Sequence, residues 1–300
     1  MPNTDIVKYI TSEYTNNPYL KQLLEDVKQH ENIIDHKPIP KPTDIRISTM
    51  TITCNLNTFL NLVELFDVIE ITTDYPIIET LKLGSLKSKG KCKVKKKKEG
   101  KKNYFQNQLT IIVVLKNTLN ILNGDDLKAN IKLFRNGKVQ MTGIKSSPHY
   151  KLVIDFLYNQ LRQAYDSNKT ILDIDTIKIS DYKIVLINSD FRTNFEINRE
   201  NIYKFLYDNS YFVIYEPDIY PGVNLKYFWN DTRKDGRCRC TSKCTGKGTG
   251  SGDGQCKRIT IAIFQSGSVI ITGSNHEKQM NNCYEFINKI FTDNYKAIKI

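Results

Sequence analysis

The sequence lacks long apolar runs. Across its 300 residues, no stretch approaches the roughly 18 consecutive apolar residues that a membrane-spanning helix requires. Its first ten residues, MPNTDIVKYI, do not show the basic region followed by an apolar segment that is typical of a signal peptide. We therefore expect no membrane span and no membrane partner. Hydrophobic residues still make up 40% of the chain, which is enough to form a core.

The sequence signatures of common enzymes are also missing. We find no G-x-x-x-x-G-K-[ST] phosphate loop, no G-x-S-x-G nucleophile turn and no H-E-x-x-H helix. The four histidines, at positions 30, 36, 149 and 276, are scattered along the chain. We interpret each of them as a surface or capping residue. The sequence therefore predicts a protein that is not an enzyme.

Cysteine is scarce except in one stretch. The total of seven is odd and four cysteines cluster together, which fits a reducing compartment better than a disulfide framework. The clustered residues follow the spacing C-x-C-x3-C-x11-C and are Cys238, Cys240, Cys244 and Cys256. Four thiolates can hold a tetrahedral zinc ion, and such a site would order a loop that is rich in Gly and Lys. The alternative is a flexible basic loop whose cysteines share no role.

Positive charge is in excess, with a formal net charge of +12. This excess favours a polyanionic partner, either nucleic acid or an anionic surface. Part of it lies in a basic low-complexity segment, SLKSKGKCKVKKKKEGKK, at residues 85–102. Such a segment would add salt-dependent affinity for phosphates without sequence preference. A nuclear localisation signal is the alternative interpretation.

One stretch of the sequence occurs twice. IKLFRNGKVQMTGIKS begins at Ile131, and IAIFQSGSVIITGSN begins at Ile261, 130 residues later. The same offset places Phe134 on Phe264 and Thr142 on Thr272. Each copy reads as a strand, a turn containing Gly, a second strand and a T-G turn into a helix. A repeat of this length indicates two similar half-domains and not a solenoid.

The segments around both copies follow one order of elements: strand, helix, several strands, helix. We predict strands at 44–56, 69–83, 109–115, 182–188 and 213–228, and helices near Asn57, Tyr150–Tyr165, Asn198–Tyr207 and a Ser274–Glu277 capping box. Antiparallel strands with helices on one face form an α+β architecture whose other face is open to a partner. The predicted domains are an N-terminal extension with a Pro-containing linker at 1–43, a first repeat at 44–172 with the Lys-rich insert at 85–102, and a second repeat at 173–300 with a Cys-rich insert at 233–257.

Four motifs in this order resemble the TATA-box-binding protein family. They are RISTMTITC (46–54), FRNGKVQMTGIKS (134–146), YEPDIYPG (215–222) and FQSGSVIITG (264–273). The family pattern reads roughly IVSTVNLGC, F-x-SGK-x-x-x-TGAKS, YEPELFPG and F-x-SGK-x-x-x-TGAK. The resemblance covers about residues 44–295 and suggests a diverged member from a large DNA virus. It implies a saddle, in which two pseudo-symmetric repeats form a curved antiparallel sheet with helices on the convex face.

The resemblance also implies that the concave face lies in the minor groove of DNA. In the family, aromatic side chains enter base steps as wedges and kink the duplex. Phe134 and Phe264 match one wedge in each half, and Tyr220 matches the second wedge of the second half. In the first half, Tyr75 in DYPII matches Tyr220 through the internal repeat, and Phe105 is the alternative.

Other positions match family contacts to bases and phosphates. Those that match base-edge or apolar groove contacts are Thr142, Thr272, Ile47 and Ile270. Those expected at the DNA backbone are Lys138, Lys145, Lys82 and Lys226. Ser268 and Asn275 replace the second-half partners of Lys138 and Lys145.

The centre of the saddle departs from the family pattern. The family has an Asn in each first strand, and Ile45 and Leu186 stand there, while Gln140 and Asn188 fall where the family has Val. A shift of two residues would bring Asn188 onto the Asn position without changing the face of the strand. Minor-groove readout is already degenerate, so the loss of both Asn groups leaves DNA shape and deformability as the main source of preference. We therefore expect DNA bending with relaxed TATA specificity.

These features together predict a DNA-binding general transcription initiation factor. It would bend AT-rich promoter DNA and recruit RNA polymerase and initiation factors that resemble the B-type factor. It would act in the nucleus or, for a viral protein, in a cytoplasmic viral factory or virion. One alternative is a saddle-fold scaffold protein of the transcription machinery with weak or altered DNA specificity. Another is an architectural or glycosylase-like protein, since the saddle half-fold also occurs in DNA repair enzymes.

Overall fold

A computed structural model of the chain describes residue 22 and residues 38–85, 87–92, 107–116 and 126–300. The chain divides at Pro40 into two units, and the architecture described here is that of Lys41–Ile300. Most of the predicted extension at 1–43, most of the Lys-rich insert and Phe105 lie outside the described residues. Within the described ranges, no helix is long and apolar enough to cross a membrane.

The described part of the chain is built on strands and a smaller number of helices. The strands are β1 (Arg46–Asn55), β2 (Ile77–Leu83), β3 (Lys87–Gly90), β4 (Gln108–Leu115), β5 (Leu127–Phe134), β6 (Lys138–Ile144), β7 (Ser180–Arg192), β8 (Phe212–Glu216), β9 (Tyr220–Trp229), β10 (Lys257–Ile263) and β11 (Ser268–Ser274). The helices are α1 (Leu62–Val68), α2 (Ser147–Ser167), α3 (Arg199–Asp208), α4 (Glu277–Asp293) and α5 (Tyr295–Ile298). A 3₁₀ turn at Ile174–Thr176 precedes β7.

All these strands join one open, curved antiparallel sheet in the order β3-β2-β4-β5-β6-β1-β7-β11-β10-β9-β8. The first strands of the two halves, β1 and β7, pair at its centre. On either side the halves continue with matching hairpins, β5–β6 and β10–β11. The predicted α+β fold with two pseudo-symmetric repeats is therefore confirmed.

The strand register relates the two halves residue by residue. Thr51 lies opposite Thr142, as Asn188 lies opposite Thr272, so Thr51 and Asn188 occupy equivalent places. The offset is therefore 137 residues for the first strands and 130 for the hairpins. By the same offset, Thr49 is equivalent to Leu186. At the centre of the sheet, Thr49 lies opposite Asn188 and Thr51 lies opposite Leu186.

The hairpin turns repeat the same hydrogen bonds. The N–H of Gly137 donates to the Phe134 carbonyl at 2.9 Å, and that of Gly267 donates to the Phe264 carbonyl at 3.0 Å. The carbonyl of each glycine then accepts an N–H from the segment after the first strand, from Leu56 or Thr193, at 2.9 Å. Each turn is thus held against the chain that leads into the first helix of its half.

Helices cover one face of the sheet, and alternate strand residues are buried beneath them. Two apolar clusters form there, one under each half. In the first, α1 and α2 pack on the strands through Leu65, Leu157, Ile52, Ile111 and Ile131. In the second, α3 and α4 pack through Ile202, Ile287, Leu225, Ile261 and Ile271. The intervening residues of each strand point to the opposite face, which no helix covers in the described part of the chain.

Two predicted helix starts are corrected by the structure. Asn61, not Asn57, caps α1, and its side chain accepts the N–H of Glu64. Asn57 instead adopts a positive φ of 57° just after β1, and the chain runs on before the helix begins. His276 caps α4, whereas Ser274 is the buried last residue of β11. The helix predicted near Asn198–Tyr207 is present as α3, and Asn198 caps it by accepting the N–H of Asn201.

The T-G dipeptides are bulges and not turns. Gly143 and Gly273 have φ values of 90° and 106°, and the strands continue past them to Ile144 and Ser274. The register against the central strands shifts at these glycines. A bulge adds one residue to a strand and increases its local twist. The prediction of a T-G turn was wrong because the pairing with the central strand continues beyond the glycine.

The strand pair predicted at 69–83 is also displaced. The strand is Ile77–Leu83, and its partner β3 lies inside the predicted Lys loop. The lysines of β3 form ion pairs with the segment around α1: Lys87 contacts Asp67 at 3.1 Å, and Lys89 contacts Glu70 at 3.2 Å. Both ammonium groups also lie over the Phe66 ring, within 5.8 Å of its centroid.

Candidate nucleic-acid interface

The centre of the open face is lined by short polar side chains. Strand alternation places Thr49, Thr51 and Asn188 there, because their neighbours Met50, Ile52 and Ile187 are buried under the helices. The predicted base-edge residues Thr142 and Thr272 flank this centre on β6 and β11.

Asn188 occupies the open face together with a hydrogen-bonding partner. The Thr272 hydroxyl donates to its Oδ1, which leaves the Nδ2 amide to donate elsewhere. Leu186 is two residues away on the same face, whereas Ile45 packs against both apolar clusters. The two positions that match the family Asn residues therefore lie in different environments, and Asn188 supplies the amide near the centre.

The second half carries an aromatic pair at the end of its sheet. Tyr220 begins β9 and is 38% exposed, and Phe264 directly follows β10. Their ring centroids are 5.7 Å apart with an interplanar angle of 61°. Gly222 lies beneath both rings, since a Cβ at that position would come within 2.8 Å of Tyr220 and 3.1 Å of Phe264. The two residues predicted as wedges in the second half, Tyr220 and Phe264, are therefore in contact, and their role as wedges stays a prediction.

Phe134 occupies the equivalent place in the first half. It ends β5, is half-buried, and lies opposite Gln108 on β4. Its neighbour Leu133 is fully buried, so the Phe134 ring belongs to the open face.

The proposed partner wedge at Tyr75 is corrected by the register. Leu109 lies opposite Leu133 as Val223 lies opposite Ile263, so β4 is the equivalent of β9, and the counterpart of Tyr220 is residue 106. Tyr75 precedes β2, whose first residue pairs near the other end of β4. Its hydroxyl donates to Asp126. Phe105 is adjacent to position 106 but lies outside the described residues, so its role stays a prediction.

Ile270 and Ile47 were both predicted as small apolar groove contacts, and the structure places them on different faces of the sheet. Ile270 is 36% exposed on the open face. Ile47 lies opposite the buried Ser189 and packs against the first apolar cluster. A bulge at Ser48 moves Ile47 out of the alternation that continues through Thr49, and this places Ile47 on the helix-covered side. Gln140, predicted beside Thr142, is half-buried on the open face of β6.

The lysines predicted to contact the DNA backbone differ in their exposure and in their partners. Lys82 and Lys138 are exposed on the open face, on β2 and at the start of β6. Lys145 directly follows β6, and its charge, together with the larger effect of burial, lowers the pKa of His149. Lys226 donates to the Thr260 hydroxyl at 2.9 Å. Burial, and then the nearby charge of Arg258, lowers the pKa of Lys226.

The motif comparison missed further cations on the same face. Two of them, Lys132 and Arg258, are adjacent to buried strand residues and therefore point to the open face. Two others lie opposite open-face residues: Lys183 opposite Thr53, and Arg46 opposite Asp190. The period-two pattern counted back from Phe134 would have identified Lys132. The same pattern would not have identified Lys183, because a bulge at Val185 interrupts the alternation of side chains between the two faces of β7.

The four clustered cysteines converge in the loop between β9 and β10. Their sulfur atoms all lie within 4.8 Å of one another, and the Cys240–Cys256 separation is 3.4 Å. A tetrahedral zinc ion with Zn–S bonds of about 2.3 Å would hold its sulfurs about 3.8 Å apart. Although burial opposes ionisation of Cys244, backbone N–H groups of Gly246 and Cys256 lower its pKa to about 7. This set of four donors can hold a metal ion.

Asp253 connects the end of this loop to the segment at Thr241 and Ser242. Its carboxylate accepts the N–H groups of Thr241 and Ser242, each at 2.8 Å. These hydrogen bonds lower the pKa of Asp253, with the Ser242 contacts as the largest cause. The loop also packs on the sheet, because Gly250 lies against the Trp229 ring and Gly236 against the Tyr227 ring.

Comparison with known proteins assigns the chain to a family. The family model described as "Transcription factor TFIID (or TATA-binding protein, TBP)" matches residues 181–293, within the second half. A TATA-box-binding protein-like protein of Acanthamoeba polyphaga mimivirus is 31% identical over 320 aligned positions, covering 100% of this chain and 80% of the viral protein. A solved structure of Methanococcus jannaschii TBP covers 83% of this chain and 97% of its own, at 17% identity and a TM-score of 0.46.

The fold defines a two-repeat α+β protein in which, within the described ranges, helices cover only one face of the sheet. The chain belongs to the TATA-box-binding protein-like family, on the strength of the viral relative. The family model that matches the second half describes a transcription factor. The chain is therefore a diverged TATA-box-binding protein-like transcription factor.

Proposed function

We propose that the open face of the sheet binds the minor groove of double-stranded promoter DNA and bends it. The observation that carries this proposal is the aromatic pair Tyr220–Phe264 at one end of the face and Phe134 at the equivalent place in the other half. Apolar wedges at both ends of a bound segment unstack base steps and kink the duplex toward the major groove.

The centre of the face fits the chemistry of the minor-groove floor. At A·T pairs this floor presents only acceptors, adenine N3 and thymine O2. The hydroxyls of Thr51 and Thr142 and the amide of Asn188, all on the open face, can donate hydrogen bonds to such acceptors. Because A·T and T·A look alike in this groove, these contacts favour AT-rich DNA without selecting one strict sequence.

The cations around this centre fit the phosphate backbones. Lys82, Lys132, Lys138 and Lys183 lie on the open face. Each Lys–phosphate contact releases counterions, so the affinity should fall as salt is raised. The Lys-rich insert at 85–102 is proposed to add to this effect from outside the sheet.

The role that follows is initiation of transcription. Bent promoter DNA would be presented to initiation factors that resemble the B-type factor and to RNA polymerase. We propose that this occurs in the nucleus or, as the mimivirus relative suggests, in a cytoplasmic viral factory or virion.

We further propose that Cys238, Cys240, Cys244 and Cys256 hold one zinc ion. The convergence of the four sulfur atoms supports this assignment. The ion would have a structural role, because four protein ligands leave no open coordination position for substrate or water.

Replacing both Phe134 and Phe264 with Ala tests the proposed function. We expect the double variant to lose the DNA bend, measured by energy transfer between dyes at the two ends of an AT-rich duplex. Both rings are half-buried, so the free energy of unfolding should fall by only about 1 kcal/mol per ring. Tyr207→Ala is the matched control, since Tyr207 is 65% exposed on α3, on the helix side of the sheet.

Two results would contradict the proposal. A double variant that bends DNA as the wild type does would show that these rings are not wedges. A wild-type chain that binds no duplex at low salt would favour the scaffold alternative, in which the saddle has lost its DNA contacts.

A further inference from the structure

The two halves of the open face differ in charge at one set of equivalent positions beside the centre. Thr53 lies opposite Gln140 on β6, and the equivalent residue in the second half is Asp190, opposite Ile270 on β11. The first half therefore presents two neutral groups that can donate a hydrogen bond. The second half presents an apolar side chain and a carboxylate, which can only accept.

Asp190 lies on the open face because its neighbours Ser189 and Phe191 are buried beneath the helices. Its side chain is 24% exposed, and its Oδ1 accepts the Nε–H of Arg46 at 2.6 Å. Within the described ranges, no partner contacts its second oxygen, Oδ2. Arg46 is 77% exposed, so this pair is not part of the core.

A carboxylate is an unusual group to place against a minor groove. The floor at A·T pairs offers only acceptors, which repel a second acceptor, and the phosphates on both sides are negative. The guanine N2 amino group is the one donor that any base pair presents in this groove. A carboxylate on the protein face that meets the groove floor can therefore gain a hydrogen bond at a G·C pair and at no other pair.

We propose that Asp190 is a specificity-determining residue that accepts a hydrogen bond from the guanine N2 amino group. This inference rests on the proposed minor-groove function. It predicts that the chain prefers a G·C pair at one position within an otherwise AT-rich site, in the part of the site that the second half covers. Charge–charge contact with Arg46 offsets the repulsion between Asp190 and the phosphates and orients Oδ1, which leaves Oδ2 for the base.

The asymmetry also gives the protein a direction on DNA. A pseudo-twofold saddle on a uniform AT-rich duplex could bind in either orientation, since the A·T floor looks the same from both strands. Asp190 has no counterpart in the first half, because Thr53 stands there. A single G·C pair would therefore fix which half of the protein faces which end of the site.

The test places one G·C pair at successive positions in an AT-rich duplex bound by the wild type, and then replaces that guanine with inosine. Inosine lacks the N2 amino group and otherwise keeps the pairing face of guanine. At one position we expect the guanine duplex to bind at least about fivefold more tightly than the inosine duplex, the lower end of the cost of one mismatched pair. Footprinting from one labelled end should show one orientation with guanine and two with inosine.

Three variants distinguish the effect of Asp190 on the affinity ratio from the effect of other open-face residues. Asp190→Ala should bring the guanine-to-inosine affinity ratio close to one, and Asp190→Asn should lower it by strengthening binding to inosine through the new amide donor. Thr53→Ala, the equivalent position in the first half, should leave the ratio unchanged. Thermal melting of each variant checks that the fold is retained.

The outcomes are distinguishable from a failure of the proposed function. A wild type that binds AT-rich duplexes but gives a ratio near one at every position overturns the role of Asp190 and leaves minor-groove binding standing. A ratio that persists in both Asp190 variants also overturns it and would assign the preference to another group. A wild type that binds no duplex rejects the function and this inference together.

Discussion

At the residue scale, the hairpin turns depend on two glycines that approach the backbone closely. Gly137 and Gly267 have φ values of 77° and 74°, in the left-handed region that residues with a Cβ rarely adopt. A Cβ at Gly137 would lie 2.3 Å from the Thr58 carbonyl oxygen, and one at Gly267 would lie 2.2 Å from that of Phe195. These turns position Phe134 and Phe264, so the glycines support the proposed wedges.

Substituting either glycine should therefore destabilise the protein. We expect Gly137→Ala or Gly267→Ala to lower the free energy of unfolding by more than the roughly 1–2 kcal/mol that left-handed backbone costs a residue with a Cβ. The measurement is chemical denaturation followed by circular dichroism. Gly252→Ala is the control, because Gly252 has a φ of 84° and a Cβ there would meet no atom within 4 Å, so it reports the backbone cost alone. Equal losses at Gly252 and Gly137 would contradict the close approach.

At the element scale, the β9–β10 connection brings its four clustered cysteines together. It contacts the sheet through Gly236 and Gly250, and its N–H groups converge on Asp253. Few apolar side chains hold it otherwise, and metal binding supplies folding free energy to segments of this kind.

We expect the proposed zinc ion to stabilise this connection, and metal removal tests that expectation. Protein purified without chelator should contain about one zinc per chain, as one four-cysteine site requires. Stripping the metal should lower the melting temperature by more than about 2–4 °C, the shift that a loss of about 1 kcal/mol causes in a domain of 150–250 residues. Cys240→Ser should reproduce the loss, and Cys92→Ser, outside the cluster, should not. Metal-free protein with unchanged melting would contradict a structural zinc site.

At the scale of the whole molecule, the internal repeat predicted the fold well. The offset of 130 residues correctly related Phe134 to Phe264 and Thr142 to Thr272, because both hairpins are local and keep their strand period. The boundary between the repeats near residue 173 stays a prediction, which the equivalent registers of the two halves support.

The site was less predictable where long-range pairing decides the face of a strand. Tyr75 matched Tyr220 by motif alone, yet β4 and not the segment before β2 is the equivalent of β9. Ile47 was displaced by a bulge that only the pairing with β7 reveals. Asp190 has no motif, and its proposed role rests on the register that makes it equivalent to Thr53.

The central claim is that the chain reads DNA from the minor groove, and one substitution of the DNA tests it directly. Replacing every A·T pair of a bound AT-rich duplex with inosine·cytosine keeps the minor-groove pattern of acceptors but gives the major groove the pattern of G·C. We predict that the wild type binds and bends the substituted duplex with an affinity within about threefold of the original, at the same salt concentration. A loss of binding of tenfold or more would mean that the major groove is read, and it would contradict the account.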